Sequence, residues 1–260
     1  MQENLVRART HLVERIAETD DGLLERYLAG AELTAAELMS GLRSAVSKRS
    51  FIPLLCGAGS LDIGVSLLLD YVIECLPSPV QRDEPRPIRG TALGNDQASE
   101  LRTCAAGEPF SARVIKTTID PFFGKLSILR VFSGQVKGNQ QVLNSSRNVR
   151  QKCGHTYVLQ GKELAPVETL SAGEIGAVAK LEDTHTGETV CDIDRPVVYP
   201  SVQFAEPAVL YAVEAESKAD EKVSAALMKL ADEDPSLRLG HCATITRTGS
   251  GNPGTRRCGV

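Results

Sequence analysis

The feature that most constrains this chain is a change of hydrophobic period near residue 110. Before it, apolar residues recur every three to four positions. After it they fall into short runs with turn residues between them. "FSARVIKTT", "GKLSILRVFSG", "QQVLNSS", "KCGHTYVLQ" and "EIGAVAKL" are rich in β-branched residues. They are punctuated by "DPFFG", "SGQVKGN", "GKELAP" and "SAG". Strands at this spacing, broken by glycine turns, predict a closed antiparallel barrel that ends near "THTGETVCD".

The N-terminal part reads differently. Leu5, Leu12, Val13 and Ile16 fit one helical stripe, and Leu23, Leu24, Tyr27 and Leu28 a second. Thr34 and Glu37 form a capping box before a third stripe, Leu38, Leu42 and Val46. Residues 51–56 then predict a strand, followed by a glycine loop and a helix from Gly64 to Leu76 that "LPSP" stops. Residues 77–100 are rich in proline and charge without apolar periodicity, which predicts a linker. A third unit begins near Pro207, with "AVLYAVEAES" as a strand. A helix over "SKADEKVSAALMKLADEDP" follows, with Ser217 as its N-cap and Asp234-Pro235 as its stop, and "SLRL" predicts the next strand.

Charge separates along the chain. The net charge is −4, yet residues 111–162 hold nine basic side chains and one acid, Asp120, for a local +8. Such segregation points to a surface that meets a polyanion. Cations along strands neutralise phosphates, and Phe122 or Phe123 at a turn offers a face for stacking on a base or ribose. The competing reading puts both phenylalanines in the barrel core.

Other chemistries find little support. The loop "CGAGSLDIG" follows a predicted strand and precedes a helix, the setting of many nucleotide sites. Gly57 and Gly59 are followed by Asp62 and Gly64, so the GxGxxG spacing fails. Gly124-Lys125 precedes Leu126, and Gly161-Lys162 precedes Glu163, so neither is a phosphate-binding GK[ST] loop. The plain reading of this loop is a tight strand-to-helix turn. The seven cysteines form no CxxC pair, and the four histidines share no ligand spacing, which argues against a metal site. Cys56 as a nucleophile with His155 or His185 as base has no supporting spacing, and a buried thiol is favoured. The carboxylates Asp20-Asp21 and Glu182-Asp183 read as solvated or capping groups. No apolar run reaches the roughly 18 residues of a membrane helix, and the charged N-terminus lacks a secretory core. A cytoplasmic location is expected.

Longer runs carry a resemblance. "TIDPFFGKLSILRVFSGQVKGNQQVLNSS" and "LSAGEIGAVAKLEDTHTGETVCD" resemble the second domain of translation elongation factor G. "EPAVLYAVEAESKADEKVSAALMKLADEDPSLRL" is similar to the start of that family's third domain. "RIAETDDGLLERYLAGAELTAAELMSGLR" and "PLLCGAGSLDIGVSLLLDYVIECLPSP" resemble the end of its GTPase domain. The match runs from about residue 10 to residue 239 in family order. "YVLQGKEL" is closer to elongation factor G-like members than to the tetracycline-resistance or release-factor relatives.

The resemblance implies a multidomain fold in three parts. Residues 1–78 would be the remnant of a P-loop GTPase α/β domain, 79–104 a linker, and 105–196 an antiparallel β-barrel of the translation-factor type. Residues 204–260 would be a partial ferredoxin-like α+β domain. It implies GTP-dependent translocation on the ribosome, with ribosomal RNA, ribosomal proteins and tRNA-bound complexes as partners, and neither membrane nor DNA. GTP and magnesium serve the full-length family. The family's P-loop, switch and NKxD motifs do not occur here, so the chain is expected to be a fragment that binds neither tightly and has no catalytic residue of its own.

The family's guanine-side loop aligns with Gly57, Ala58, Gly59 and Ser60, with Ala58 and Gly59 where the family has Ser-Ala. The "DPFFGKL" loop matches one that leans on small-subunit ribosomal RNA. Asp120, Phe122, Phe123, Lys125, Arg130 and Lys137 are therefore candidate RNA contacts, and no metal ligand is named. Thr248–Asn252 fits a family glycine motif, but the tail from Pro253 departs from it. The third sheet is then expected not to close, as after a truncation or reading-frame error, which resequencing the locus tests. The alternative function is a stand-alone RNA- or ribosome-binding barrel without GTPase activity. A thiol or metal enzyme rests on the cysteine count alone.

Overall fold

The computed structural model describes residues 2–80, 87–209, 211–213, 220–242 and 257–259. The chain divides into two compact units, residues 1–85 and 86–260.

Among its described residues the first unit contains four α-helices, α1 (Gln2–Ala17), α2 (Asp21–Leu28), α3 (Ala35–Ser47) and α4 (Val65–Cys75), and a short 3-10 turn at Gly59–Leu61. Asp20 caps α2 by accepting the Leu23 amide at 3.1 Å, the capping role read for it. The Thr34 hydroxyl accepts the Glu37 amide, and the Glu37 carboxylate accepts the Thr34 amide at 2.9 Å, so the capping box forms as read. Ile16, Ala17, Leu33 and Ala45 are buried in this unit. The predicted strand over 51–56 does not form; the segment is extended without a ladder, and Ile52 and Leu54 are 89% and 93% exposed. A strand needs a partner for its backbone groups, and the described residues of this unit supply none.

The second unit opens with a hairpin, β1 (Ile88–Ala92) and β2 (Asn95–Arg102), inside the segment read as a linker. Gly94, at φ +82°, makes its turn. β1 also pairs with β13 (Val197–Val198), and Gly90 lies against the Val197 side chain so closely that any Cβ would clash. The hairpin depends on a partner about 100 residues away, which no local pattern reveals.

The barrel follows as β3 (Ser111–Asp120), β4 (Gly124–Ser133), β5 (Gln135–Lys137), β6 (Gln141–Asn144), β7 (Val149–Lys152), β8 (Thr156–Gln160), β9 (Glu163–Val167), β10 (Thr169–Ser171), β11 (Ile175–Ala179) and β12 (Thr189–Cys191). Eight of these strands form one antiparallel sheet in the order β7-β6-β12-β3-β4-β11-β8-β9. The ladder ends at β7 and β9, and the two-stranded ribbon β5–β10 supplies Val136 and Leu170 to the interior. Those two join Val114, Leu129, Val131, Val142, Val178 and Val190 in one buried cluster. The barrel-type fold is therefore built as the alternating pattern predicts, with aliphatic residues filling a small interior.

The last region contributes β14 (Ala212–Val213), α5 (Asp220–Glu233), β15 (Gly240–Cys242) and β16 (Arg257–Gly259). "SLRL" is not itself a strand; the strand begins at Gly240, after the Asp234 carboxylate has taken the Ser236 amide and hydroxyl in a tight turn. β16 pairs with both β14 and β15, so among the described residues the end of the chain contributes the middle strand of a three-stranded sheet. The Ser217 cap, Thr248–Asn252 and Pro253 lie outside the described residues.

Candidate functional site

The strongest surface feature is the tip of the β3–β4 hairpin. The two strands pair from Ser111↔Ser133 out to Asp120↔Gly124, with a bulge at Ile115. The Asp120 Oδ1 accepts the amides of Phe122 and Phe123 at 2.7 and 2.9 Å, an Asx-type turn that fixes the tip. Gly124 closes it at φ +71°. This geometry turns Phe122 outward, 92% exposed, while Phe123 packs edge-on against Tyr157 with ring centroids 5.3 Å apart. The core placement considered for both phenylalanines is thus wrong: Phe123 leans on Tyr157 but keeps 44% of its surface exposed, and neither ring enters a core cluster of the described residues. Asp120 acts through its turn, not as a free carboxylate.

The candidate cations do not converge. Lys125 is buried, and its ammonium donates to the Glu182 carbonyl at 2.7 Å, so it is not a surface contact. Its register beneath the loop after β11 puts it inward, a fact that sequence alternation hides at a strand end. Arg130 is exposed but lies about 20 Å along β4 from Gly124 at the usual strand rise. It sits opposite Arg113, a pairing that would repel. The two guanidiniums part: Arg130 packs over Phe132 at 5.7 Å, and Arg113 over Tyr199 at 5.8 Å while donating to the Pro200 carbonyl. Burial depresses the Arg113 pKa below its ordinary value. Lys137 is exposed at the end of β5, and Lys116, Arg150, Lys152 and Lys162 add further exposed charge.

The loop aligned with a guanine contact is self-closed. Ala58 and Ile63 exchange both backbone hydrogen bonds, and the Leu61 amide donates to Ala58. Gly57 is needed because a Cβ there would lie 2.9 Å from the Ile63 carbonyl, and Gly64 because its φ is +78°. The amides of Ala58, Leu61 and Ile63 are spent within the turn, and Gly57, Ala58 and Gly59 bring no polar side chain. Ser60 supplies the one hydroxyl. These residues do not fit a phosphate or magnesium, and among the described residues no group of three or more His, Cys, Asp or Glu is placed to hold a metal ion.

One cluster escaped the sequence reading. Near the tip, the Glu233 carboxylate of α5 accepts the Ile119 amide at 2.6 Å and the Thr118 hydroxyl at 3.1 Å. Asp232 lies 3.1 Å from the His185 Nδ1 and 3.8 Å from the Lys125 ammonium. Burial, helped by Lys125 and Arg147, pulls the His185 pKa below its ordinary value against the pull of Glu188 and Asp232. The neutral ring then donates from Nδ1 to Asp232. Burial would raise the Glu188 pKa, but hydrogen bonds from Arg147, Asn144 and the His185 amide hold it low.

Residues 109–193 match the family model of elongation factor G domain 2. Over 99% of its length the chain is similar to a solved structure from Thermus thermophilus, at 30% identity and a TM-score of 0.68. It spans 34% of that protein's length. No described helix is long and apolar enough to cross a membrane.

Proposed function

We propose that this chain, which carries the second domain of translation elongation factor G over residues 109–193, is a piece of a protein of that family whose barrel docks on ribosomal RNA during GTP-dependent translocation. The observation that carries the reading is Phe122, a large aromatic ring held almost wholly in solvent by a turn that Asp120 organises. An exposed aromatic at a hairpin tip suits stacking on an RNA base, and the exposed Lys116, Lys137, Lys152 and Lys162 of the same barrel, though they do not converge on the tip, offer cations for neighbouring phosphates. Ribosomal proteins and tRNA-bound complexes are the wider partners of this reading, in the cytoplasm.

Co-sedimentation with small ribosomal subunits tests it. Phe122→Ala is expected to weaken binding about tenfold, within the range of one lost base stack. Because the ring is exposed, the same change should move barrel stability by no more than about 0.5 kcal/mol. Unchanged binding by a folded Phe122→Ala protein overturns the reading.

The self-closed turn at Ala58–Ile63 favours a second element of the proposal: this chain alone holds GTP and magnesium weakly and has no turnover of its own. Titration with a fluorescent guanine nucleotide checks this, and saturation at micromolar concentration contradicts it.

A further inference from the structure

The outer edge of β3 has no strand partner beyond Val114 among the described residues. β12 pairs only with Ser111–Arg113, and the loop before it bonds Val114 through Gly187 and Glu188. A bare edge amide seeks an acceptor. Ile119 finds one in the Glu233 carboxylate, which also takes the Thr118 hydroxyl. Beside it, Asp232 faces the His185 ring and the Lys125 ammonium. Two adjacent carboxylates from one helix end thus meet four donors, drawn from β3, from β4 and from the loop between β11 and β12.

All four donors belong to the barrel, and both anions belong to α5. The Lys125 side chain is only 7% exposed and has one carbonyl partner, Glu182, and the nearest anion to its ammonium is Asp232 at 3.8 Å. Leaving such a buried charge without an anion is costly. Other charged groups facing His185 are Arg147, which adds positive potential, and Glu188, whose carboxylate is already engaged by Arg147 and Asn144. The donor set remains electropositive and incomplete whenever α5 departs.

We propose that Thr118, Ile119, Lys125 and His185 form an anion site of the barrel, that Asp232 and Glu233 plug it in this state, and that a phosphate group competes with α5 for it. Phosphate suits the set because its several acceptor oxygens can engage a backbone N–H, a hydroxyl and an ammonium together. The site differs from the Phe122 tip and requires no stacking, so the two proposals can fail separately. Release of α5 and phosphate capture are then reciprocal events, and the plug next to Asp120 links the tip turn to the region beyond the barrel.

The test uses the full, ¹⁵N-labelled chain without ribosomes. Inorganic phosphate and a short single-stranded RNA are titrated while the Ile119 amide and His185 ring resonances are followed. In the isosteric double variant D232N/E233Q, phosphate should produce saturable shifts at an affinity at least about tenfold above that of the unaltered chain, since no competing carboxylate reduces the competent population. Lys125→Met should abolish the effect. In the unaltered chain, phosphate should speed amide exchange in α5, a readout that needs no variant. RNA binding more tightly than phosphate identifies a nucleic-acid backbone as the source, and binding of phosphate alone identifies a free anion. Absence of saturable shifts in the folded double variant, or equal affinity in both chains, overturns the proposal.

Discussion

At the scale of single residues, burial decides which side chains are chemically available. Cys153 is 2% exposed, and burial lifts its thiol from 9.0 to about 12. Burial raises Cys191 and Cys75 as well. Cys56 is exposed. Iodoacetamide at pH 8.5 should therefore label Cys56 and spare Cys153 and Cys191, as read by peptide mass mapping; early labelling of Cys153 contradicts this placement. The linkage has a definite sign. A thiol pKa raised in the folded state contributes stability that is complete below pH 9.0 and is lost as pH rises toward about 12. Alkaline titration should thus weaken the barrel progressively above pH 9.0. The buried-thiol reading holds for Cys75, Cys153 and Cys191 but fails for Cys56, which is exposed because the 51–56 segment joins no ladder that would cover it. Which cysteine lies in the barrel interior was not readable from the sequence, because Cys153 follows a strand end and no alternation reports on it.

At the scale of elements, local chemistry specified the helices better than the strands. The Thr34–Glu37 box was visible because a cap uses residues three apart, and the structure completes both of its hydrogen bonds. Thr34→Ala should cost about 1 kcal/mol of first-unit stability, measured by urea denaturation followed at the helical signal; no shift in the midpoint refutes it. Strands obey distant partners. Residues 51–56 have strand composition but no ladder, whereas Ile88–Arg102 forms a hairpin despite reading as linker. The turn at Asp120–Gly124 was legible as a turn, and its candidate aromatics are indeed at the tip. The inward fate of Lys125 depends on the loop carrying Glu182, 57 residues away.

At the scale of the whole molecule, the two units differ in how well they cover apolar surface. The second encloses an aliphatic cluster. In the first, Leu67, Leu69 and Ile73 of α4 are 68%, 57% and 78% exposed, and Ile52 and Leu54 are more so. An apolar surface of this kind favours association. Ile73→Lys should lower the self-associated fraction in sedimentation velocity, and an unchanged distribution argues that the α4 face is not responsible.

By itself the sequence determined the helical stripes and caps of the first unit, the alternating strands and glycine turns of the barrel, the segregated positive charge and the likeness of residues 109–193 to elongation factor G domain 2. Each of these is written in residues close together or in a pattern that any partner would satisfy. Tertiary structure alone decided that Phe122 faces solvent while Lys125 does not, that the β1–β2 hairpin forms against β13, and that α5 sets two carboxylates on four barrel donors. Those outcomes require groups tens of residues apart to meet, and no local period records which backbone edge or buried charge will be left for a distant side chain to satisfy.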